Sequence, residues 1–178
     1  MSMVIVEHKS HSYAPRTFHN AYVADLTVAI AVDHSTAGEL LTRRSAGKRF
    51  LALNFGDSAI DNARLLFADV KKRRVRILNV AGNGIYTFTK SGIRRETVHQ
   101  YVYNVLQQVH QFYPIAKIVS GGQTGVDIAG AMTAYKLGID MEITFPKGFR
   151  QRNEQGQEVY NTYDQIVEQI KEGAGRLV

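Results

Sequence analysis

Residues 115–137 read IAKIVSGGQTGVDIAGAMTAYKL, and this stretch is the most informative about the fold class. The apolar run Lys117–Ser120, with Ile115 and Ala116 before it, predicts a buried strand. Glycines follow at once, and Thr124–Leu137 predicts a helix that ends before Gly138. A strand, a glycine turn and a helix in this order form one unit of a parallel α/β sheet.

The same alternation extends to both sides of this stretch. Further short apolar runs predict strands and longer amphipathic runs predict helices. The strands are Leu26–Val32, Phe50–Phe55, Val75–Ala81 and Met141–Phe145, and the helices are Gly38–Ala46, Ser58–Lys72, Glu96–Tyr113 and Tyr163–Glu172. We predict one α/β domain over residues 1–178, a three-layer Rossmann-like and mostly parallel sheet with helices on both faces. Residues 1–20 are expected to form a flexible leader, and residues 147–160 a polar loop.

Composition excludes several classes of protein. The 178 residues include no cysteine, which rules out a disulfide scaffold, a thiolate zinc site and an iron–sulfur cluster. No apolar run reaches the roughly 20 residues of a membrane span, and the first residues lack the pattern of a signal peptide. We expect a cytoplasmic protein that has no membrane partner and no metal. The net charge of +6 favours an anionic partner such as a phosphate, a nucleotide or a nucleic acid.

The loops after the predicted strands carry the candidate ligand-binding residues. Ligands of parallel sheets bind beyond the carboxyl ends of the strands, and every loop there is small, polar and glycine-bearing. The loop at Gly121 precedes a helix N-terminus, which suits an oxyanion such as phosphate. The spacing Thr124-x-x-Asp127 also fits a capping box, and Lys147 and Arg150 also fit a solvated loop, so both alternatives stay open. The candidates are Gly121, Gly122, Gln123, Thr124, Gly125, Asp127, Ser35, Thr36, Gly38, Asn79, Gly82, Asn83, Lys147 and Arg150.

Ser120–Asp127 (SGGQTGVD), Pro146-Lys147-Gly148, Arg152 and Gly156 resemble the glycine-rich half of the molybdenum-cofactor carrier proteins of the SLOG superfamily. Other motifs resemble the second half of that family. They are Tyr13-x-x-Arg16-Thr17-x-x-Asn20, Ala24–Thr27, Ser35–Gly38, Gly47-Lys48, Ile77–Gly82 and Ile85-Tyr86. The usual order of the halves is reversed here, with the second half over residues 21–113 and the glycine-rich half over residues 114–178. The chain therefore resembles a circular permutant, as in the YpsA-related SLOG group.

The resemblance implies a ligand class more than a reaction. It implies a phosphate-bearing nucleotide or a nucleotide-derived small molecule, including a pterin-phosphate of the molybdenum-cofactor type, bound at the strand rim. It also places Arg16 and Asn20 at the site. Some SLOG members are phosphoribohydrolases, whose glycine-rich motif with its glutamate is not found in the loop DHSTAGELLT. A nucleotide-processing hydrolase is thus the alternative to a binding or carrier protein, with Glu39 or Asp127 as the catalytic candidate.

Two further features suggest partners. The run Lys71–Arg76 could contact the phosphates of a single-stranded nucleic acid, or could form a solvated rim. Tyr101, Tyr103, Phe112 and Tyr113 on one amphipathic helix predict core or a subunit interface, and we expect a homo-oligomer.

Overall fold

The computed structural model describes residues 1–178, which form a six-stranded parallel sheet and a small antiparallel hairpin. The order of strands in the sheet is β1-β6-β5-β4-β2-β3, and β7 pairs with β8 in the hairpin. The strands are β1 Met3–Glu7, β2 Leu26–Ala31, β3 Phe50–Asn54, β4 Ile77–Gly82, β5 Lys117–Ser120, β6 Asp140–Phe145, β7 Gln151–Arg152 and β8 Glu158–Val159. The helices are α1 Ala14–Val23, α2 Ala37–Ala46, α3 Ala59–Arg73, α4 Ile85–Lys90, α5 Arg95–Phe112, α6 Val126–Leu137 and α7 Tyr163–Gly175.

Helices cover both faces of the sheet. Helix α1 packs against α2 on one face, and α3, α5, α6 and α7 pack in succession on the other. The predicted three-layer, Rossmann-like α/β fold is therefore confirmed, and all six strands of the main sheet are parallel. No helix is both long and apolar enough to cross a lipid bilayer.

The central strands and α6 form the middle of the core. Every residue of β2 is buried, as expected for a strand with a helix layer on each side. Residues Val126–Ala134 of α6 are also buried all round, because this helix lies between the sheet and the neighbouring helices α5 and α7. The adjoining glycine-rich loop is thus anchored in the most buried part of the molecule.

The expectation of a flexible leader at residues 1–20 is wrong. Met3–Glu7 forms the edge strand β1, whose register pairs Met3 with Met141 of β6, and Ala14–Val23 forms α1. An edge strand has only one neighbour, and here only Met3 and Ile5 pack against the core. The apolar run is consequently short and weakly patterned. Helix α1 lacks a side-chain N-cap, so its start carries little signal apart from Pro15.

The expected loop at residues 147–160 is also corrected, and of the two alternatives at Thr124 the capping box does not form. Gln151–Arg152 and Glu158–Val159 pair as the antiparallel β7–β8 hairpin. The Thr124 hydroxyl donates to the carbonyl of Arg152 instead of capping α6, and the N-cap residue of α6 is Gly125. The strand and helix boundaries differ from those predicted by one or two residues at most ends.

Candidate functional site

A cavity of about 370 Å³ lies at the carboxyl ends of β2, β4 and β5. The chain leaves β2 toward β3 on one side and leaves β4 toward β5 on the other, so β2 and β4 mark the point where the connections diverge. Crevices form at such points in open parallel sheets, and ligands bind there. The glycine-rich loop after β5 and the loop after β4 both line this one cavity, although about forty residues separate them.

The N-terminus of α2 opens into the cavity. The Asp33 carboxylate accepts hydrogen bonds from the backbone and the hydroxyl of Ser35, at 2.8 and 2.6 Å, and shapes the turn into the helix. Thr36 is the N-cap, and its hydroxyl accepts from the Glu39 N–H at 3.3 Å. The N–H groups of Ala37 and Gly38 have no acceptor in the chain, and a Cβ added at Gly38 would meet nothing within 4 Å. This helix end offers donors and open space together.

Glu39 is a buried acid in the wall of the cavity. It is 3% exposed, its Oε2 has no hydrogen-bond donor, and the nearest cationic candidate, His34 Nδ1, lies 3.7 Å away. Burial, followed by the negative charges of Asp127 and Asp33, raises the pKa of Glu39 from an ordinary 4.5 to about 8. At neutral pH this side chain is therefore a neutral acid that can donate a hydrogen bond.

Arg16 and Asp127 form a buried ion pair beside the glycine-rich loop. Arg16 Nη1 lies 3.4 Å from Asp127 Oδ2, and both residues are at most 7% exposed. Burial raises the pKa of the Asp127 carboxyl, while Arg16 and the nearby N–H groups of Gln123 and Gly82 oppose that rise. A Cβ on Gly121 would lie 1.4 Å from Arg16 Nη1, so this glycine is needed to make room for the guanidinium.

Side chains of the protein hold part of the glycine-rich loop, although the N–H groups of Gly121, Gly122 and Gly125 have no acceptor in the chain. Gln123 Oε1 accepts from the N–H groups of Thr124 and Arg152, at 3.0 and 2.7 Å. Gly122 has a φ of +70°, its Cβ position is filled by the ring of Phe145, and its carbonyl accepts from Gln151 Nε2 at 2.7 Å. Packing therefore accounts for the absence of a side chain at Gly122, and open N–H donors remain both in this loop and at α2.

Two asparagines of β4 and its loop form the floor of the cavity. Asn83 Oδ1 accepts from the N–H groups of Val32 and Asp33, at 2.9 and 3.0 Å, and its Nδ2 donates to the Asp33 carbonyl. This side chain continues the β2–β4 ladder beyond the strand ends. Asn79 donates to the Thr27 hydroxyl at 3.1 Å, but its buried Oδ1 has no donor. A buried acceptor without a partner is costly, so Asn79 Oδ1 is a candidate acceptor for a donor group of a ligand.

The structure brings most of the predicted site residues into this cavity. The predicted ligand-binding residues that line it are Arg16, Asn20, Thr36, Gly38, Asn79, Gly82, Asn83, Gly121, Gln123, Thr124 and Asp127, and the catalytic candidate Glu39 joins them. Those outside its lining are Ser35, Gly122, Gly125, Lys147 and Arg150.

Arg150 is engaged elsewhere because the long loop folds as a hairpin. Its guanidinium lies over the ring of Tyr13, at 4.5 Å from the centroid, and 3.5 Å from Glu158 Oε2. Lys147 is exposed, and its N–H donates to the carbonyl of Ser10. Both residues thus tie the hairpin region to the N-terminal segment.

The candidate site predicted from the sequence left out several residues of the lining. Among them, Thr42 and Thr87 had not been singled out, and Tyr13 and Tyr86 appeared only within motifs of the resemblance. Thr42 follows Gly38 by four residues and Glu39 by three, so helical spacing from those candidates could have found it.

Comparison with protein-family models and with curated proteins found no match for this sequence. The chemistry of the cavity therefore carries the functional argument.

Proposed function

We propose that this protein binds a phosphate-bearing nucleotide or a nucleotide-derived small molecule in the cavity at the strand ends. The observation that carries the proposal is the N-terminus of α2, where the unpaired N–H groups of Ala37 and Gly38 lie at the exposed rim of the cavity. Such a helix end binds anions through its N–H groups and its dipole.

The remaining lining suits the organic part of such a ligand. Tyr13 and Tyr86 supply aromatic surface, and Asn79 supplies a buried acceptor for an amino or hydroxyl group. Glu39, which is protonated at neutral pH, does not repel a phosphate and can donate a hydrogen bond to it. A pterin-phosphate offers the same combination of ring, polar edge and phosphate as a nucleotide.

Membership of the SLOG superfamily, as a circular permutant, is part of this proposal. Helix α7 follows β6 and packs beside α6, and β6 pairs with β1. The carboxyl end of α7 lies beside α5, where Gln100 hydrogen-bonds with Val178. The proposal of a permuted order therefore rests on the sequence motifs and on the parallel pairing of β1 with β6.

Calorimetric titration with adenosine and guanosine monophosphates, and with inorganic phosphate, tests the proposal. Gly38→Asp places a carboxylate where the phosphate is expected, while an acid in the first turn favours the helix, so folding should be retained. We expect at least about a tenfold loss of affinity, since one repulsive charge is worth about 1.4 kcal/mol or more. Gly38→Asn is the uncharged control of similar shape and should bind more tightly than Gly38→Asp. Equal affinity of wild type and Gly38→Asp for every probe would contradict the proposal.

Glu39 supports a second candidate function, a hydrolase that removes the base from a nucleoside monophosphate. A carboxylic acid with a pKa near neutrality is suited to donate a proton to a leaving base. Incubation with nucleoside monophosphates followed by chromatography detects free base, and Glu39→Gln should abolish its release. Binding of a nucleoside monophosphate without release of base would exclude the hydrolase and leave only the binding function.

A further inference from the structure

A continuous cationic surface lies at the opposite edge of the sheet from the cavity. Parallel strands begin at one common edge, and the helices that precede them end there. Two cationic segments, residues 43–49 and 71–76, therefore meet around the start of β3. The Arg73 guanidinium donates to the carbonyl of Lys48 at 3.0 Å and joins the two segments directly. The cationic residues are Arg43, Arg44, Lys48, Arg49, Lys71, Lys72, Arg73, Arg74 and Arg76, which we call the basic edge.

The basic edge holds the charge excess of the whole molecule. The basic edge contains nine cationic side chains, and the same region contains two carboxylates, Asp25 and Asp69. The complete chain has a net charge of only +6. Asp69 pairs with Arg73 at 3.0 Å, and Asp25 accepts from the backbone N–H groups of Arg76 and Ile77. All of the cations except Arg49 are exposed. The remainder of the protein is close to neutral, so the attraction for a polyanion is concentrated here.

Aromatic rings are interleaved with these cations. The side chain of Tyr22, in the last turn of α1, is 80% exposed, and its carbonyl lies 3.5 Å from Arg49 Nη1. Half-buried Phe50 and Phe67 lie under Arg43 and Lys71, at 5.5 and 5.6 Å from the ring centroids. A surface that only compensated the helix dipoles would require the cations and not the exposed ring of Tyr22.

We propose that the basic edge binds single-stranded nucleic acid, with the cations on its phosphates and Tyr22 stacked on a base. Phosphate contacts and base stacking together are the two means by which proteins hold single strands without sequence preference. Unpaired bases are needed for stacking, which favours a single strand over a duplex. The basic edge and the cavity lie at opposite ends of the strands, so this interaction is independent of the function proposed for the cavity.

Fluorescence anisotropy with a labelled mixed-sequence oligonucleotide longer than about 16 nucleotides tests the phosphate contacts. In the triple variant Lys48→Gln, Lys71→Gln and Lys72→Gln we expect affinity to fall about 100-fold near 0.1 M salt, and the log–log salt slope to become about 2 less steep. The matched control is Lys9→Gln, Lys90→Gln and Lys171→Gln, which removes the same charge from exposed positions outside the basic edge. Equal losses in the two triple variants, or no binding by the wild type, would overturn the proposal.

Stacking is tested separately at Tyr22, where substitution should leave folding intact because the side chain is 80% exposed. Tyr22→Ala should weaken binding roughly five- to hundredfold, and Tyr22→Phe should retain it. The duplex of the same sequence should bind more weakly than the single strand. Tight binding to vesicles of mixed phosphatidylserine and phosphatidylcholine without binding to the oligonucleotide would assign the surface to a membrane and refute the proposal. Unchanged binding by Gly38→Asp would show that the result does not depend on the cavity.

Discussion

Glu39 illustrates how burial changes the chemistry of a single side chain. It occupies the first turn of α2, where an acid ordinarily interacts with the helix dipole and stays ionised. Here it is enclosed with Asp127 and near Asp33, and its pKa is raised to about 8. The same carboxyl that sequence position alone would assign to helix stabilisation is thus a proton donor at neutral pH.

This raised pKa makes stability depend on pH. The folded state keeps the proton of Glu39 up to about pH 8, whereas the unfolded chain releases it near 4.5. The stabilisation is therefore complete below about pH 4.5 and is lost as the pH rises through about 8, on the order of 1 kcal/mol per pH unit between them. Glu39→Gln should remove this dependence, so that urea unfolding from pH 5 to 8 shows a growing advantage of the variant over wild type.

The control for this measurement is Glu168→Gln, at an exposed position on α7. Its difference from wild type should stay constant across the same pH range. A difference between wild type and Glu39→Gln that does not change with pH would show that Glu39 is ionised in the folded protein.

Sequence reasoning predicted which loops meet at the cavity, but not the contacts that its glycines allow. The spacing of strands and glycines predicted which loops meet, because parallel strands present their ends at one edge. Local spacing could not show that Arg16 occupies the Cβ position of Gly121, or that the ring of Phe145 occupies the Cβ position of Gly122. Both contacts join distant parts of the chain. Open N–H donors are found at Gly38 as well as in the glycine-rich loop.

At the level of elements, predictability followed the extent of burial. Strands β2 and β5 are covered on both faces, so their apolar runs are continuous and were predicted to within one residue. Strand β1 is covered on one side only and α1 has no side-chain cap, so neither leaves a strong local pattern. These two elements form through tertiary contacts with β6 and α2 more than through local preference.

Strand β1 should contribute to stability through one side of its surface. Ile5 packs against the core, whereas Val6 is 38% exposed. Ile5→Ala should lower the free energy of unfolding by about 1–2 kcal/mol, somewhat less than a fully buried position, and Val6→Ala should change it by less than about 0.5 kcal/mol. Chemical denaturation of both variants measures the difference, and equal losses would contradict this packing of β1.

For the molecule as a whole, the Arg16–Asp127 pair joins two segments separated by 111 residues. It connects α1 on one face of the sheet with α6 on the other, at the cavity between them. Removing one member leaves the other as a buried and uncompensated charge, which costs far more than the net value of the pair.

Arg16→Met should therefore lower the free energy of unfolding by about 3–5 kcal/mol. The double variant Arg16→Met with Asp127→Asn should recover much of this loss, because no charge is left buried. A double-mutant cycle by urea unfolding measures the coupling. Additive losses would indicate that the two side chains do not interact in the folded protein.

The Asn83 side chain has a consequence for how a ligand would be received. By bridging Val32 and Asp33 it holds β2 and β4 together where the two strands would otherwise begin to separate. The floor of the cavity is therefore preorganised before a ligand binds, so little conformational entropy is lost on binding. We expect a ligand to bind to this floor without rearranging it, so that the shape of the ligand determines selectivity.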